Sequence, residues 1–394
     1  MTGKINLALS LSIAVSTFCG TACQATDLTT PTVVAEDAPL SKRSQTPEPV
    51  IIAAVGDIML GSTSIDDTFL PPNDGRDMLN DVALLLQSAD IAFGNLEGPL
   101  IDGGETTKCP QVEPPAPVEP VPLEMPEQPV KPVKPIRCFA FRSPTRYAKH
   151  LKEAGFDILS LANNHALDFG DEGRISTRKA LDEIGIAHAG SAKGKHAMTV
   201  LEARGQRIAF VAFAHNAFVP NVNDLPAAQQ FVRDADKIAD IVVVSFHGGS
   251  EGANAERVPR RTEMLGTEKR GNLPLFARTV IDAGADLVLG HGPHVLRGME
   301  VYKGRLVVYS MGNFATYGMF NLKDVLGLAA IFELKIDPSG KFLGGKVYPV
   351  KQIDRGIPVL DPEGSATQKL RALSIADFGA AAPKIADDGT ISPN

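Results

Sequence analysis

Five short apolar runs in this chain stop on the same kind of ending, and that recurrence constrains the fold more than any other feature. Residues 50–55 (VIIAAV) run into Gly56-Asp57-Ile58-Met59-Leu60-Gly61, and residues 91–94 into Asn95-Leu96-Glu97-Gly98. Residues 158–161 run into Ala162-Asn163-Asn164-His165-Ala166-Leu167-Asp168-Phe169-Gly170. Residues 241–246 run into His247-Gly248-Gly249-Ser250-Glu251-Gly252, and 287–289 into Gly290-His291-Gly292-Pro293-His294. Runs this short, apolar throughout, are how strands buried on both faces read. Residues 208–213 and 306–309 have the same character, and helical spacing occupies 78–88, 145–154, 172–184 and 273–283. Strand alternating with helix implies an α/β fold with helices covering the sheet faces. The last third differs, because Lys303-Gly304 and Ser339-Gly340 read as hairpin turns within 300–308 and 326–350. An antiparallel part is expected there, giving stacked sheets flanked by helices.

In open α/β sheets ligands bind beyond the carboxyl ends of the strands. Here that edge would carry Asp, Glu, Asn and His, including four of the eight histidines. Taken singly, each ending has a plain structural reading: Gly-Asp as a turn, Asn as a cap, His as a satisfied core group. Five coincident endings point to one site. Carboxylate, amide oxygen and imidazole together suit a hard to borderline divalent ion such as Mn, Zn, Fe or Mg. With no Cys in the set, a structural zinc cage is excluded.

The succession GDIMLG, NLEG, ANNHALDFG, FHGG-S-E, GHGPH and SMGNF closely resembles the bacterial capsule-synthesis, or poly-γ-glutamate biosynthesis, CapA family. That family is similar to the calcineurin-like metallophosphoesterases, so the resemblance implies a four-layered α/β/β/α sandwich with metals at its strand ends. It spans roughly 51–317, apart from a Pro-rich stretch. Carried over position by position, it implies that Asp57 binds one metal and Glu97 takes the bridging carboxylate position. Asn164, His247 and His291 would complete a second site, and His294 would return to the first metal. His165 would face the substrate as proton donor or oxyanion stabiliser. Asp168 would orient His165 or cap the next helix, with the structural role favoured, and Asn313 would line the same pocket.

Departures from the family pattern carry expectations of their own. Met59 stands where typical metallophosphoesterases carry a His, so the first metal site loses a nitrogen ligand. Gly248 and Gly292 replace larger side chains common in the family, predicting a more open pocket. Arg257, Arg260, Arg261, Lys269 and Arg270 share a loop with Glu256, Glu263 and Glu268, which reads as a solvated mixed-charge segment. His150, His188, His196 and His215 read as structural or surface residues.

Residues 1–25 have the parts of a secretory signal peptide: Lys4, an apolar run over 7–18, and small residues before cleavage near Ala22 or Ala25. The run is too short to span a membrane, which takes about 20 residues. Gly20-Thr21-Ala22-Cys23 resembles a lipoprotein cleavage site, with Gly20 in place of the usual large aliphatic residue. Residues 26–49 read as a polar tether, 50–362 as one domain, and 363–394 as a helix with an unstructured polar tail. Between Cys109 and Cys138 lie ten of the 29 prolines. Such a stretch is extended polyproline, and a disulfide closing a loop of that size would contribute about 3–4 kcal/mol. The chain is thus expected to be exported, and soluble or surface-anchored in the periplasm, envelope or medium. A net charge of -7 excludes nucleic acid as the natural partner. The expected function is capsule or poly-γ-glutamate synthesis through a site with one or two divalent ions, acting on an anionic polymer or phosphoester. Alternatives are a non-catalytic accessory or export subunit of a membrane-bound polymer synthase, and a secreted metal-dependent phosphatase or nucleotidase.

Overall fold

The computed structural model describes residues 32–33, 48–106, 108–109 and 139–394. The expected leader, most of the tether, Cys138 and the body of the Pro-rich insertion lie outside the described residues. From the amino end the chain runs through β1 (Thr32–Val33), β2 (Val50–Met59), α1 (Asn80–Gln87), β3 (Ile91–Leu96), α2 (Ala148–Glu153), β4 (Ile158–Ser160), α3 (Gly170–Asp182) and β5 (Ala187–Ala189). There follow β6 (Met198–Ala203), β7 (Gln206–Ala214), α4 (Leu225–Asp236), β8 (Ile241–His247), β9 (Glu263–Leu265), β10 (Glu268–Gly271), α5 (Leu273–Asp282), β11 (Leu287–His291), β12 (Met299–Tyr302) and β13 (Arg305–Val308). Last come β14 (Asn313–Thr316), β15 (Leu328–Ile336), β16 (Phe342–Ile353), β17 (Ile357–Leu360), α6 (Ser365–Phe378), β18 (Lys384–Ile385) and β19 (Thr390–Ser392).

These strands form two stacked sheets and a separate β9–β10 hairpin. One sheet has the order β1-β6-β7-β8-β11-β13-β12; the other has β18-β19-β16-β15-β2-β3-β4-β5, with β14 beside β2 and β17 beside β16. β2 to β5 are mutually parallel, as are β7, β8, β11 and β13. The β12–β13 and β15–β16 pairs are antiparallel hairpins closed at the two expected turns.

Strand periodicity explains the layering. In β2, Val50, Ile52 and Ala54 point between the sheets, where they join Phe93, Phe210, Val243 and Leu289 in one core. The intervening Ala53 and Val55 point outward and pack with Val82 and Leu86 of α1, Leu151 of α2 and Leu181 of α3. On the other sheet, Val242 and Val244 pack outward with Val232 of α4 and with Phe276 and Val280 of α5. The fold is therefore a four-layered α/β/β/α sandwich. Each buried Val, Leu, Ile or Phe side chain contributes about 1.5–3 kcal/mol. Phe93 and Phe210 stack across the central layer at 5.7 Å, so Phe210→Ala would cost about 3–5 kcal/mol.

Several elements go beyond the sequence expectation, among them β1 within the expected tether, α4 and the carboxyl-terminal strands. α4 is an extra helix: Asp224 caps it by accepting from Ala227 N at 3.2 Å, and Pro226 occupies its first turn. Its buried residues are Ala228, Val232 and Ala235, two of them too small to mark an apolar stripe. The carboxyl-terminal tail, expected to be unstructured, instead forms β18 and β19. β19 pairs antiparallel with β16 at Gly345 and Lys346.

Register brings the strand endings together. His247 at the end of β8 pairs with His291 of β11 and with Ala214 of β7. In the facing sheet Asp57 pairs with Asn95, and Asn95 with Ser160. The carboxyl edges of both sheets meet at one end of the sandwich.

Candidate metal centre

Asp57 is fixed from behind before any ligand is considered. The chain entering β14, the parallel neighbour of β2, runs so close that a Cβ on Gly56 would lie 2.0 Å from Gly312 O. Gly56 lets Asp57 N donate to that same carbonyl at 2.9 Å. Asn95 Nδ2 then donates to Asp57 Oδ1 at 2.8 Å, and Asn163 Nδ2 to Asn95 Oδ1 at 3.2 Å and Leu96 O at 2.8 Å. Asn163 Oδ1 also accepts from His165 N at 3.1 Å. A chain of amides therefore orients the carboxylate and the following turn.

Around this carboxylate stand the other predicted residues. His294 Nδ1 is 3.0 Å from Asp57 Oδ2 and 3.1 Å from Asn313 Oδ1. His291 Nδ1 is 3.3 Å from Asp57 Oδ1. Glu97 sits centrally: its Oε1 is 3.7 Å from His294 Nε2, 3.9 Å from His165 Nε2 and 3.9 Å from His247 Nε2. Asp57, Glu97 and His294 each offer a ligand atom within 4.8 Å of one another. Asn313 also donates to His294 O at 3.2 Å, helping hold His294 at a positive φ of 59°. A non-glycine residue there costs on the order of 1–3 kcal/mol and collects at functional sites.

The donor set fits a divalent ion. Both oxygens of Glu97, Oδ1 of Asn164 and both ring nitrogens of His247 and His291 are buried without a hydrogen-bond partner. Buried polar atoms are almost always partnered, and carboxylate, amide oxygen and imidazole are ligands for such an ion. Electrostatics agree. Burial opposes charge on Asp57, but contacts from His291 and His294 outweigh it and hold the carboxyl far below its usual range. Burial raises Glu97 well above the usual carboxylate range. Burial likewise pushes His247 well below the usual imidazole range. It opposes charge on His294 too, but Glu97 and then Asp57 prevail and push that imidazole up to about 10. Negative charge held at Asp57, beside Glu97, thus draws positive charge to His294.

Several neighbours depart from the sequence reading. Asp168 does not cap α3, whose cap position is Phe169 with no side-chain bond. It is instead buried against His165, with Oδ2 2.7 Å from Nδ1, and accepts from Phe141 N at 2.8 Å. Phe141 stacks on the His165 ring at 4.1 Å, and Phe320 packs on both Phe141 and His294. Gly248 and Gly292 do not open the pocket. A Cβ on Gly292 would lie 2.7 Å from Gly248 O, and one on Gly248 2.6 Å from Arg270 O, so backbone fills both positions.

Arg270 is not solvated: it is fully buried, with Nε donating to Gly249 O at 3.0 Å and with Glu251 and Glu268 as ion-pair partners. Its Nη1 also lies 2.9 Å from His215 Nε2. His215 packs beside His247 with ring centroids 6.0 Å apart, and burial, aided by Arg270, pushes it down to about 4. His215 was legible in principle, since it leaves β7 as the other site residues leave their strands. Arg297, also fully buried, forms a two-point ion pair with Glu263 at 2.9 and 2.8 Å, tying β9 to the loop after β11. Met59, in place of a nitrogen ligand, is buried in the last position of β2. Cys109 is disulfide-bonded; its expected partner Cys138 lies outside the described residues.

Comparison with known proteins matches this architecture to one family. The family model for bacterial capsule synthesis protein PGA_cap matches residues 51–317, from β2 to just past β14. The PGA biosynthesis protein CapA of Bacillus subtilis (strain 168) is 32% identical over 237 residues, covering 56% of this chain and 57% of that protein. The capsule biosynthesis protein CapA of Bacillus anthracis is 34% identical over 184 residues, covering 42% and 41%. A probable polyglutamine synthesis accessory protein of Mycobacterium tuberculosis is 32% identical over 206 residues, covering 44% and 50%. The matched part is about half the length of these relatives. The chain belongs to the bacterial capsule synthesis protein PGA_cap family.

Proposed function

We propose that this chain is an exported protein of capsule or poly-γ-glutamate synthesis whose metal-centred site hydrolyses a linkage in an anionic polymer or phosphoester. The observation that carries the reading is the convergence of buried, unpartnered atoms of Glu97, Asn164, His247 and His291 beside Asp57 and His294. Those six residues would hold one or two ions among Mn, Zn, Fe and Mg. When bound, such an ion polarises a scissile group and lowers the pKa of water. The rest belongs to the chain. Asp168 accepts from His165 Nδ1, so it is in the protonated ring that Nε2, facing Glu97, would carry the proton passed to the leaving group, and burial makes that ring give it up readily. Phe141 covers one flank of the His165 ring and Phe320 one flank of His294.

The test is metal analysis of the purified chain combined with a panel of phosphomonoesters, phosphodiesters, nucleotides and poly-γ-glutamate in added Mn. Metal-dependent turnover that disappears in His247→Ala is the expected result. No bound ion and no turnover on any substrate would overturn the reading. A second reading, a non-catalytic accessory of a membrane-bound synthase, is favoured by Met59 and by the word accessory in a relative's description. It predicts polymer binding without turnover in the same panel.

A further inference from the structure

Lys108 comes from a loop that contributes nothing to the predicted ligand set, yet its ammonium ends inside the turn that carries Asn164 and His165. Nζ lies 2.7 Å from Asp168 Oδ1, 3.4 Å from Asn164 O and 3.0 Å from His165 Nδ1. An ionised carboxylate only accepts, so Nδ1 at 2.7 Å from Asp168 Oδ2 carries a hydrogen and donates it there. The ammonium's own hydrogen bonds therefore go to Asn164 O and Asp168 Oδ1, the two ends of the turn, straddling His165. Asp168 is fully buried and the Lys108 side chain is 34% exposed, so this is a partly desolvated pair, stronger than a surface one.

A lysine stem is flexible and costly to order, and here the backbone on both sides of it is restrained. Thr106 Oγ1 donates to Asp168 O at 2.6 Å and accepts from Lys108 N at 3.2 Å. On the other side, Cys109 is disulfide-bonded.

We infer that Lys108 is a positioning residue that clamps the 164–168 turn and fixes the His165 ring, and that the disulfide at Cys109 keeps it in place. Reduction would then loosen His165 without removing any ligand of the proposed metal centre. The inference rests on the metal-centre reading for its catalytic consequence alone; the clamp itself is a property of the metal-free chain.

The experiment uses the full oxidised chain with Lys108→Met, Lys108→Arg, Cys109→Ser and the Lys108→Met/Cys109→Ser double variant. In metal-free protein, NMR follows the His165 Nδ1–H proton, whose hydrogen bond to buried Asp168 slows its exchange with water. Lys108→Met should speed that exchange about ten-fold or more, because protection of a buried N–H follows the local stability of the structure closing over it, and Lys108→Arg should restore part of it. Cys109→Ser, or reduction of the wild type, should give the Lys108→Met signature, and the double variant should add little. With Mn and the substrate found in the panel, kcat should fall about ten-fold while KM and ion stoichiometry stay near wild type.

An unchanged His165 signal in Lys108→Met overturns the clamp. A Cys109→Ser effect equally large in the Lys108→Met background overturns the role given to the disulfide. A protein that binds no ion and turns nothing over defeats the metal-centre reading while the NMR comparison still decides the clamp.

Discussion

The two halves of the site are built on different chemistry. On the β2–β3–β4 side, Asp57 is held by Asn95, Asn95 by Asn163, and His165 by Asp168, so neutral amides and one carboxylate set the geometry. On the β8–β11 side, no ring nitrogen of His247 or His291 makes a hydrogen bond, His291 having only the Asp57 carboxylate 3.3 Å from its Nδ1, and their surroundings are propped by the buried arginines Arg270 and Arg297. The supporting hydrogen bonds of the first half are complete without a metal ion, although Glu97 and Asn164 on that side also carry unpartnered oxygens. The second has its scaffold braced by ion pairs but leaves its ligand atoms unsatisfied, so its stability should respond to an ion far more strongly.

His247→Ala should break that contrast most completely. Turnover should fall on the order of 10³-fold or more, since several kcal/mol of transition-state stabilisation depend on a correctly held ion. Mn should then no longer raise the melting temperature. Arg297→Met tests the bracing: it leaves Glu263 buried and uncompensated, and should cost about 3–5 kcal/mol in denaturant unfolding. Asn95→Ala attacks the amide half, and titration calorimetry should show metal affinity falling roughly 10–100-fold with a smaller change in stability.

A separate effect should appear in pH. His294 is raised above the usual 6.5 to about 10 in the folded protein. Its contribution to stability is therefore complete below about 6.5 and is lost as pH climbs through about 10. A bound ion would take the place of that charge, and His294 would then hold it as a neutral ligand. Melting temperature should therefore fall between pH 7 and 10 in the metal-free protein and stay flatter with Mn. A flat metal-free profile would show that the charge lies elsewhere.

What the sequence disclosed follows the same division. Parallel strands buried on both faces read as uninterrupted apolar runs, so their endings could be found, and with them Asp57, Glu97, Asn164, His247, His291 and His294. The resemblance then added the order in which they meet. Supporting groups were less legible. Arg270 and Glu263 lie in a segment whose charges alternate, and nothing local tells a buried ion pair from a solvated one. His215 follows residues 208–213, which read as a strand, but it stands without the carboxylate or second His that marks the other endings. The tail was missed because β18 and β19 carry one buried apolar residue each, Ile385 and Ile391, too few to show alternation. Lys108 gave no signal, because its partners stand about 60 residues away.

That tail has a bearing on any attempt to shorten the protein. The outer flank of β16 is covered in two pieces, by β17 along Val350 to Ile353 and by β19 at Gly345 and Lys346. Removing 384–394 would uncover peptide groups in the middle of a twelve-residue strand, with exposed Leu343 close by. A bare edge of that length is a template for strand addition from another molecule. The last few residues therefore act against self-association, and a trimmed protein would fail first by aggregating in storage, before the site itself is disturbed.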